Sequence, residues 1–234
     1  NYITAITLSD GVGGLLANYQ PPVERDNSNA AVTVTPAPLT VRAANDAKLQ
    51  GQSDAAGYAG ALFNGLVNGE TVNDLYVDLG GSLTITRIGS QEAVGEYAGV
   101  LEPEITGSVS ANYTISYQNG NYTIVGADTL LLRSTVSGTQ EYAGAPSYTF
   151  GSAEYLDDDD SVVDLTDRIG SVGGLVIVSQ GGEVGAQFQV QAIDGSFSSS
   201  DNLEVGGYNV EAAGLELLVD DMGFTSVYVS GSLN

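Results

Sequence analysis

Asn112-Tyr113-Thr114-Ile115-Ser116-Tyr117-Gln118-Asn119-Gly120-Asn121-Tyr122-Thr123-Ile124-Val125 carries the clearest local signal in the chain. Tyr113, Ile115 and Tyr117 alternate with polar residues, and Tyr122 and Ile124 do so again. A period of two is that of a strand with one face on a core. Asn119-Gly120 separates the two runs, and both residue types tolerate the positive φ that a type I′ turn needs at its central positions. The spacing predicts a β-hairpin.

The same vocabulary fills the rest of the chain. Among 234 residues, 31 Gly punctuate short segments rich in Val, Ile, Thr, Leu and Tyr, the composition of many strands and tight turns. Helical periodicity is confined to Thr71–Leu75 and Ser161–Leu165, each enough for one turn. Several strings recur. Leu39-Thr40-Val41-Arg42 returns as Leu130-Leu131-Leu132-Arg133, an offset of 91 from residue 39 to residue 130. Val72-Asn73-Asp74-Leu75 returns as Val162-Val163-Asp164-Leu165, and Ala17-Asn18-Tyr19 precedes Ala111-Asn112-Tyr113. Val94-Gly95-Glu96-Tyr97 matches Val205-Gly206-Gly207-Tyr208, and Tyr117-Gln118-Asn119-Gly120 matches Tyr228-Val229-Ser230-Gly231, both 111 residues on (94 to 205, 117 to 228).

The chain therefore reads as all-β, with at most one helical turn per copy, in tandem small β-sandwich or β-grasp-like modules arranged end to end. Residues 1–35 read as the trailing hairpin of a preceding copy, 36–125 as one module, and 126–234 as a second with an insertion near 166–204. Within that insertion, Leu175–Val178 and Gln187–Gln191 suit an added hairpin. Asn1 starts inside what reads as a strand, as in a piece of a longer protein. Pro36 and Pro38 fix φ at the first junction.

Composition excludes whole classes of chemistry. There is no His and no Cys, so Ser-His-Asp and Cys-His triads, Cys/His zinc sites and disulfides are absent. Six Lys+Arg against 29 Asp+Glu give a formal charge of −23, which argues against nucleic acid and anionic bilayers as partners. Apolar runs such as Leu175-Val176-Ile177-Val178 fall far short of the roughly 18 residues that cross a membrane. The Gly-rich Asp10–Gly14 and Gly170–Gly174 lack dinucleotide-binding spacing and a βαβ context, so both read as turns.

Thr35-Pro36-Ala37-Pro38-Leu39-Thr40-Val41, Gly65-Leu66-Val67-Asn68-Gly69-Glu70-Thr71, Val94-Gly95-Glu96-Tyr97 and Ala111-Asn112-Tyr113-Thr114-Ile115 follow one another in the order and spacing of a known repeat. Residues 36–125 resemble the MBG/YDG-type repeats of large bacterial surface adhesins, including filamentous-haemagglutinin-like proteins exported by two-partner secretion. The second copy is a looser match. The resemblance implies secreted, cell-surface, tandem β-rich modules involved in adhesion or biofilm, with no catalytic residues and with neighbouring repeats as partners. A polysaccharide or cell-surface receptor is a further partner it allows.

Three features bear on chemistry. Asp157, Asp158, Asp159 and Asp160 repel one another unless neutralised, which makes them the candidate calcium site, against the alternative of a solvated acidic loop. No other cofactor is expected. Lys48 is the one lysine, so the Lys–Asn or Lys–Asp cross-links of many surface adhesins cannot be general here. Asn112-Tyr113-Thr114 and Asn121-Tyr122-Thr123 fit the N-glycosylation pattern but also suit plain strand residues. Two functions follow. The modules are stalk or spacer units, or the second copy binds carbohydrate or protein through its insertion, where Phe188 and Phe197 stand.

Overall fold

The computed structural model describes residues 35–77, 80–172, 174–193 and 195–234. The hairpin expected over 1–35, and with it the Asp10–Gly14 turn, lies outside these residues apart from Thr35. The described chain is all-β, with one short α-helix among its described residues.

In the first module β1 (Ala37–Ala43) and β2 (Asp46–Leu49) form one strand bent at its middle, and β6 (Tyr113–Gln118) and β7 (Gly120–Val125) form another. The two bent strands lie side by side and parallel. Leu39 is opposite Ile115 and Val41 opposite Tyr117 in one sheet; Lys48 is opposite Ile124 in the next. β3 (Ala61–Asn64) flanks β1, and β5 (Gly95–Thr106) with β4 (Ser82–Arg87) flanks β7, all antiparallel. The helix α1 (Val72–Val77) lies between β3 and β4 in the chain. Thr71 and Asp74 cap it reciprocally: the Asp74 carboxylate accepts from the Thr71 N–H at 2.6 Å, and Thr71 Oγ1 accepts from the Asp74 N–H at 3.4 Å. Parallel, adjacent first and last strands make this the β-grasp-like of the two expected arrangements.

The hairpin expected over Asn112–Val125 does not form. β6 and β7 sit in different sheets and do not pair, and Gly120 is not among the residues with positive φ. The switch of the apolar phase from Tyr113 and Ile115 to Tyr122 and Ile124 marks a passage between two cores. Tyr113 packs with Leu39, Val41 and Leu75, whereas Tyr122 and Ile124 pack with Ala43 and Leu101. Gly120 is needed for close approach, because a Cβ there would lie 2.7 Å from the Ala43 carbonyl oxygen and 2.8 Å from that of Ala44. The bends of the first and last strands nest against each other at that point.

The second module repeats the plan. β8 (Thr129–Thr139) pairs antiparallel with β9 (Ser147–Leu156), and parallel with β15 (Ser226–Ser230) and β16 (Ser232–Leu233). A glycine again stands where the last strand passes on: Gly231 lies between β15 and β16, and a Cβ on it would run into Ser134 Oγ of β8. The sheet continues antiparallel through β14 (Tyr208–Leu217), β13 (Glu183–Ala192), β12 (Leu175–Gln180) and β11 (Ile169–Val172). The hairpin expected in the insertion is β12–β13, with Leu175 opposite Gln189 and the chain turning at Gly181-Gly182. The helical turn expected over Ser161–Leu165 is instead β10 (Val162–Asp164), an edge strand on β9, followed by a 3-10 turn at Thr166–Arg168. Adjacent β-branched Val162 and Val163 favour the strand. The Gly170–Gly174 segment likewise begins as strand, since Gly170–Val172 belong to β11.

Two pairs of equivalent hydrogen bonds fix which residues correspond. The Tyr97 hydroxyl donates to the Ala93 carbonyl at 2.7 Å, and the Tyr208 hydroxyl to that of Glu204 at 2.8 Å. The Gln50 N–H donates to Val125 O at 2.8 Å, and the Gln140 N–H to Asn234 O at 2.9 Å. Hence Val94 corresponds to Val205, Leu49 to Thr139, Gln52 to Tyr142 and Val125 to Asn234.

Candidate functional site

Where the modules meet they share a core. Ala47, Leu49 and Val125 of the first pack against Leu131 and Leu156 of the second, with Tyr228 against the cluster. At its edge lies a fully buried carboxylate. Asp46 accepts from Arg133 Nη2 at 2.6 Å, from the Ser230 hydroxyl at 2.8 Å and from the Ala47 N–H at 2.7 Å. Burial raises its pKa, and the Arg133 charge and the two hydrogen bonds oppose that rise. The Asn45 N–H donates to Asn209 Oδ1, Arg42 Nη2 to the Gly207 carbonyl, and the Thr123 hydroxyl to the Tyr228 hydroxyl. This seam is dry at its centre and hydrogen-bonded around it.

Lys48 sits in a second polar cluster in the first module. Its Nζ is 2.9 Å from Asp54 and 2.5 Å from Glu92, and Arg87 bridges the same two carboxylates at 2.8 Å each. The Tyr58 and Tyr122 hydroxyls also donate to Asp54, and the Arg87 guanidinium lies over the Tyr122 ring, 4.9 Å from its centroid. Burial pushes Asp54 up, but the hydrogen bonds from Lys48, Arg87 and the two tyrosines outweigh it and hold the carboxyl at about 2. Burial pushes Lys48 down, and its hydrogen bonds to Glu92 and Asp54 reverse that, raising it. An amide between Lys48 Nζ and Asp54 Cγ expels water and requires a neutral amine attacking a protonated acid. Both groups are held in the opposite state. The intact protein is therefore expected to show its full sequence mass; a species lighter by one water, absent in Lys48→Arg, would contradict the ion-pair assignment.

Asp157–Asp160 form the turn between β9 and β10. Asp157 Oδ1 accepts from the Asp159 N–H at 3.1 Å and from the Ser161 N–H at 2.8 Å, so this carboxylate holds its own turn together. Asp158, Asp159 and Asp160 are exposed, and Asp160 lines a cleft of about 380 Å³ beside Gln50, Gly51 and Gln52. Among the described residues no three carboxylates are grouped as a metal ion requires. Melting temperature is expected to rise with salt, as screening over about 10 Å at 0.1 M relieves the self-repulsion of the chain. Calcium chloride and sodium chloride at equal ionic strength are expected to give the same curve. A calcium-specific rise lost in Asp158→Asn with Asp159→Asn would establish the metal site. Asn121, the second glycosylation candidate, already uses its amide: Oδ1 accepts from the Gly99 N–H and Nδ2 donates to Glu96.

The insertion borders a groove. Gln140, Glu141, Tyr142, Leu203, Glu204, Val205, Tyr208, Leu233 and Asn234 line a small volume of about 70 Å³. Of the two aromatics expected to mark a ligand site, Phe188 is fully buried in the core of the second module, and Phe197 is exposed and bridged to Leu203. Tyr142 was not singled out by the sequence, and the signal for it was the copy comparison, where an aromatic replaces Gln52.

Residues 39–123 match the family model of the MBG domain (YGX type), a module of surface proteins. The resemblance read over 36–125 is borne out there. No curated protein and no solved structure matches the chain.

Proposed function

We propose, from the MBG-type match over 39–123, that the chain is a spacer segment of a secreted or cell-surface bacterial adhesin, serving adhesion or biofilm formation without catalysing a reaction. The observation that carries this reading is the strand order. In each module the first and last strands are parallel neighbours, β1–β2 with β6–β7 and β8 with β15–β16. Tension entering at one end of a module and leaving at the other slides these strands past each other. It loads their hydrogen bonds together rather than one after another, which suits a segment that transmits force.

The charge distribution supports the same reading. Arg42, Lys48, Arg87 and Arg133 are spent on internal partners, so the exposed charge of the described residues is overwhelmingly acidic. Such a surface repels nucleic acid and anionic membranes. No described helix is long and apolar enough to cross a membrane. The partners in this reading are neighbouring repeats. The test is force spectroscopy on the chain held at its two ends. Two separate ruptures, one per module, at clearly higher force than when a module is pulled across β4 and β5 through residues 84 and 104, are expected. Equal forces in the two geometries would overturn the spacer reading.

A further inference from the structure

We infer that Asn68 is a site of spontaneous deamidation, picked out by the fold from three Asn-Gly pairs that the sequence presents alike. It goes beyond the spacer reading, because it concerns a covalent change in one loop of the first module, and either idea can fail alone.

The three pairs are Asn64-Gly65, Asn68-Gly69 and Asn119-Gly120. A glycine after asparagine has no side chain to shield its backbone nitrogen, which can therefore reach the asparagine amide carbon. In the reaction that nitrogen gives its proton to water and bonds to Cγ. The Cγ–Nδ2 bond breaks, and the amide leaves as ammonia. Water then opens the five-membered succinimide at either carbonyl, giving aspartate or isoaspartate, and nothing is oxidised or reduced. The ring holds the asparagine Cβ and the glycine nitrogen on the same side of the Cα–C bond. For an L residue that is a ψ of about −120°, the value at the first central position of a type II′ turn.

Asn68 alone of the three is placed for this. It has φ 57°, Gly69 has φ 75°, and the Glu70 N–H donates to the Val67 carbonyl at 3.0 Å, which makes Val67–Glu70 a type I′ turn. A flip of the peptide between Asn68 and Gly69 converts type I′ to type II′. It keeps the positive φ of Asn68 and asks for a negative φ at Gly69, which glycine adopts freely. The ends of the turn stay in place, because the Val67 N–H donates to the Tyr113 hydroxyl at 3.3 Å and that hydroxyl donates to the Glu70 carboxylate. Asn68 and Gly69 are exposed, and the Asn68 amide makes no hydrogen bond to a described residue. Nothing lies within 4 Å of where a Cβ on Gly69 would stand.

The other two pairs are held. The Asn119 amide donates to the Gly99 carbonyl at 2.9 Å, and Gly120 is buried in β7 opposite Leu101. Asn64 is opposite Thr40 in β3, and a Cβ on Gly65 would run into the Pro38 carbonyl oxygen. Neither Asn64 nor Asn119 has a positive φ. At Asn68 the product places a new carboxylate two residues from that of Glu70. As isoaspartate it also adds a methylene to the backbone of a turn that Tyr113 clamps at both ends.

The test is incubation of the full chain in mildly alkaline buffer made with heavy-oxygen water, followed by peptide mapping in a mass spectrometer, where ring opening marks each reacted site. In the folded chain Asn68 is expected to be lost at least about tenfold faster than Asn64 or Asn119. In the same buffer with urea the three should react at similar rates, since the selection belongs to the fold. Gly69→Ala, whose methyl shields the attacking nitrogen, should slow the loss of Asn68 and leave the other two pairs unchanged. An Asn68 that stays intact in the folded chain while it reacts in urea overturns the assignment. So does a folded chain in which Asn64 or Asn119 reacts as fast as Asn68, or an undiminished loss of Asn68 in Gly69→Ala.

Discussion

Arg133→Met is expected to destabilise the chain by about 3 kcal/mol, because it leaves the carboxylate of Asp46 buried without its countercharge. Asp46 is fully buried, and its remaining donors are the Ser230 hydroxyl and the Ala47 N–H, both neutral. Adding Asp46→Asn to the same chain should recover most of the loss, since the amide oxygen keeps those two bonds and carries no charge. The pH dependence has a definite sign. Burial raises the folded pKa of Asp46, and removing Arg133 raises it further. Folded Arg133→Met then binds a proton that the unfolded chain does not, so its deficit shrinks as pH falls through that raised pKa. Denaturant titration of the two single variants and the double variant measures the coupling. A loss below about 1 kcal/mol for Arg133→Met would mean that solvent reaches Asp46 and that the seam is not dry.

Gly120→Ala is the second large effect, at about 2 to 3 kcal/mol. The methyl would stand 2.7 and 2.8 Å from two backbone oxygens, those of Ala43 and Ala44, and neither can swing aside as a side-chain end could. The disturbance falls where the bends of the first and last strands touch, so it reaches both cores of the first module. A chain in which Asn119-Gly120 closed a tight hairpin would lose only about 1 kcal/mol, the ordinary cost of a Cβ at positive φ. Equilibrium unfolding therefore separates the two geometries, and a loss near the lower figure would contradict the nested bends.

That residue also shows how far the sequence can be read. Alternation identified β6 and β7 as strands, and the repeated Tyr-x-x-Gly identified the corresponding place in the second copy, at Gly231. Neither could show the pairing. The partner of β6 is β1, parallel and 76 residues away by the Thr40–Ser116 contact, and long-range parallel pairing leaves no local signature. The insertion hairpin was legible because its partners are adjacent and turn at Gly181-Gly182. Val162-Asp164 was misread as helical for a related reason, since its counterpart in the first copy is a helix and two valines decided the matter differently here.

The sites divide in the same way. Asp157–Asp160 stood out by charge, yet the structure uses Asp157 to close a turn. Asp46 and Arg133, which fix the seam, lie 87 residues apart and look ordinary in sequence. Lys48 was notable for being alone, and its two carboxylate partners, Asp54 and Glu92, became visible only once β2 and the loop before β5 were placed. Tyr142 needed the correspondence with Gln52, which rests on hydrogen bonds of Gln50 and Gln140 rather than on residue identity.

The central claim is that the seam fixes the two modules as one strut. With no native cysteine, Ile88→Cys in the first module and Val172→Cys in the second, both exposed, give a unique dye pair. Single-molecule energy transfer between them measures the distance directly. One narrow distribution, unchanged by salt and broadened by Arg133→Met, is the expected result. A broad distribution in the unmodified chain, as wide as that of Arg133→Met, would contradict the account.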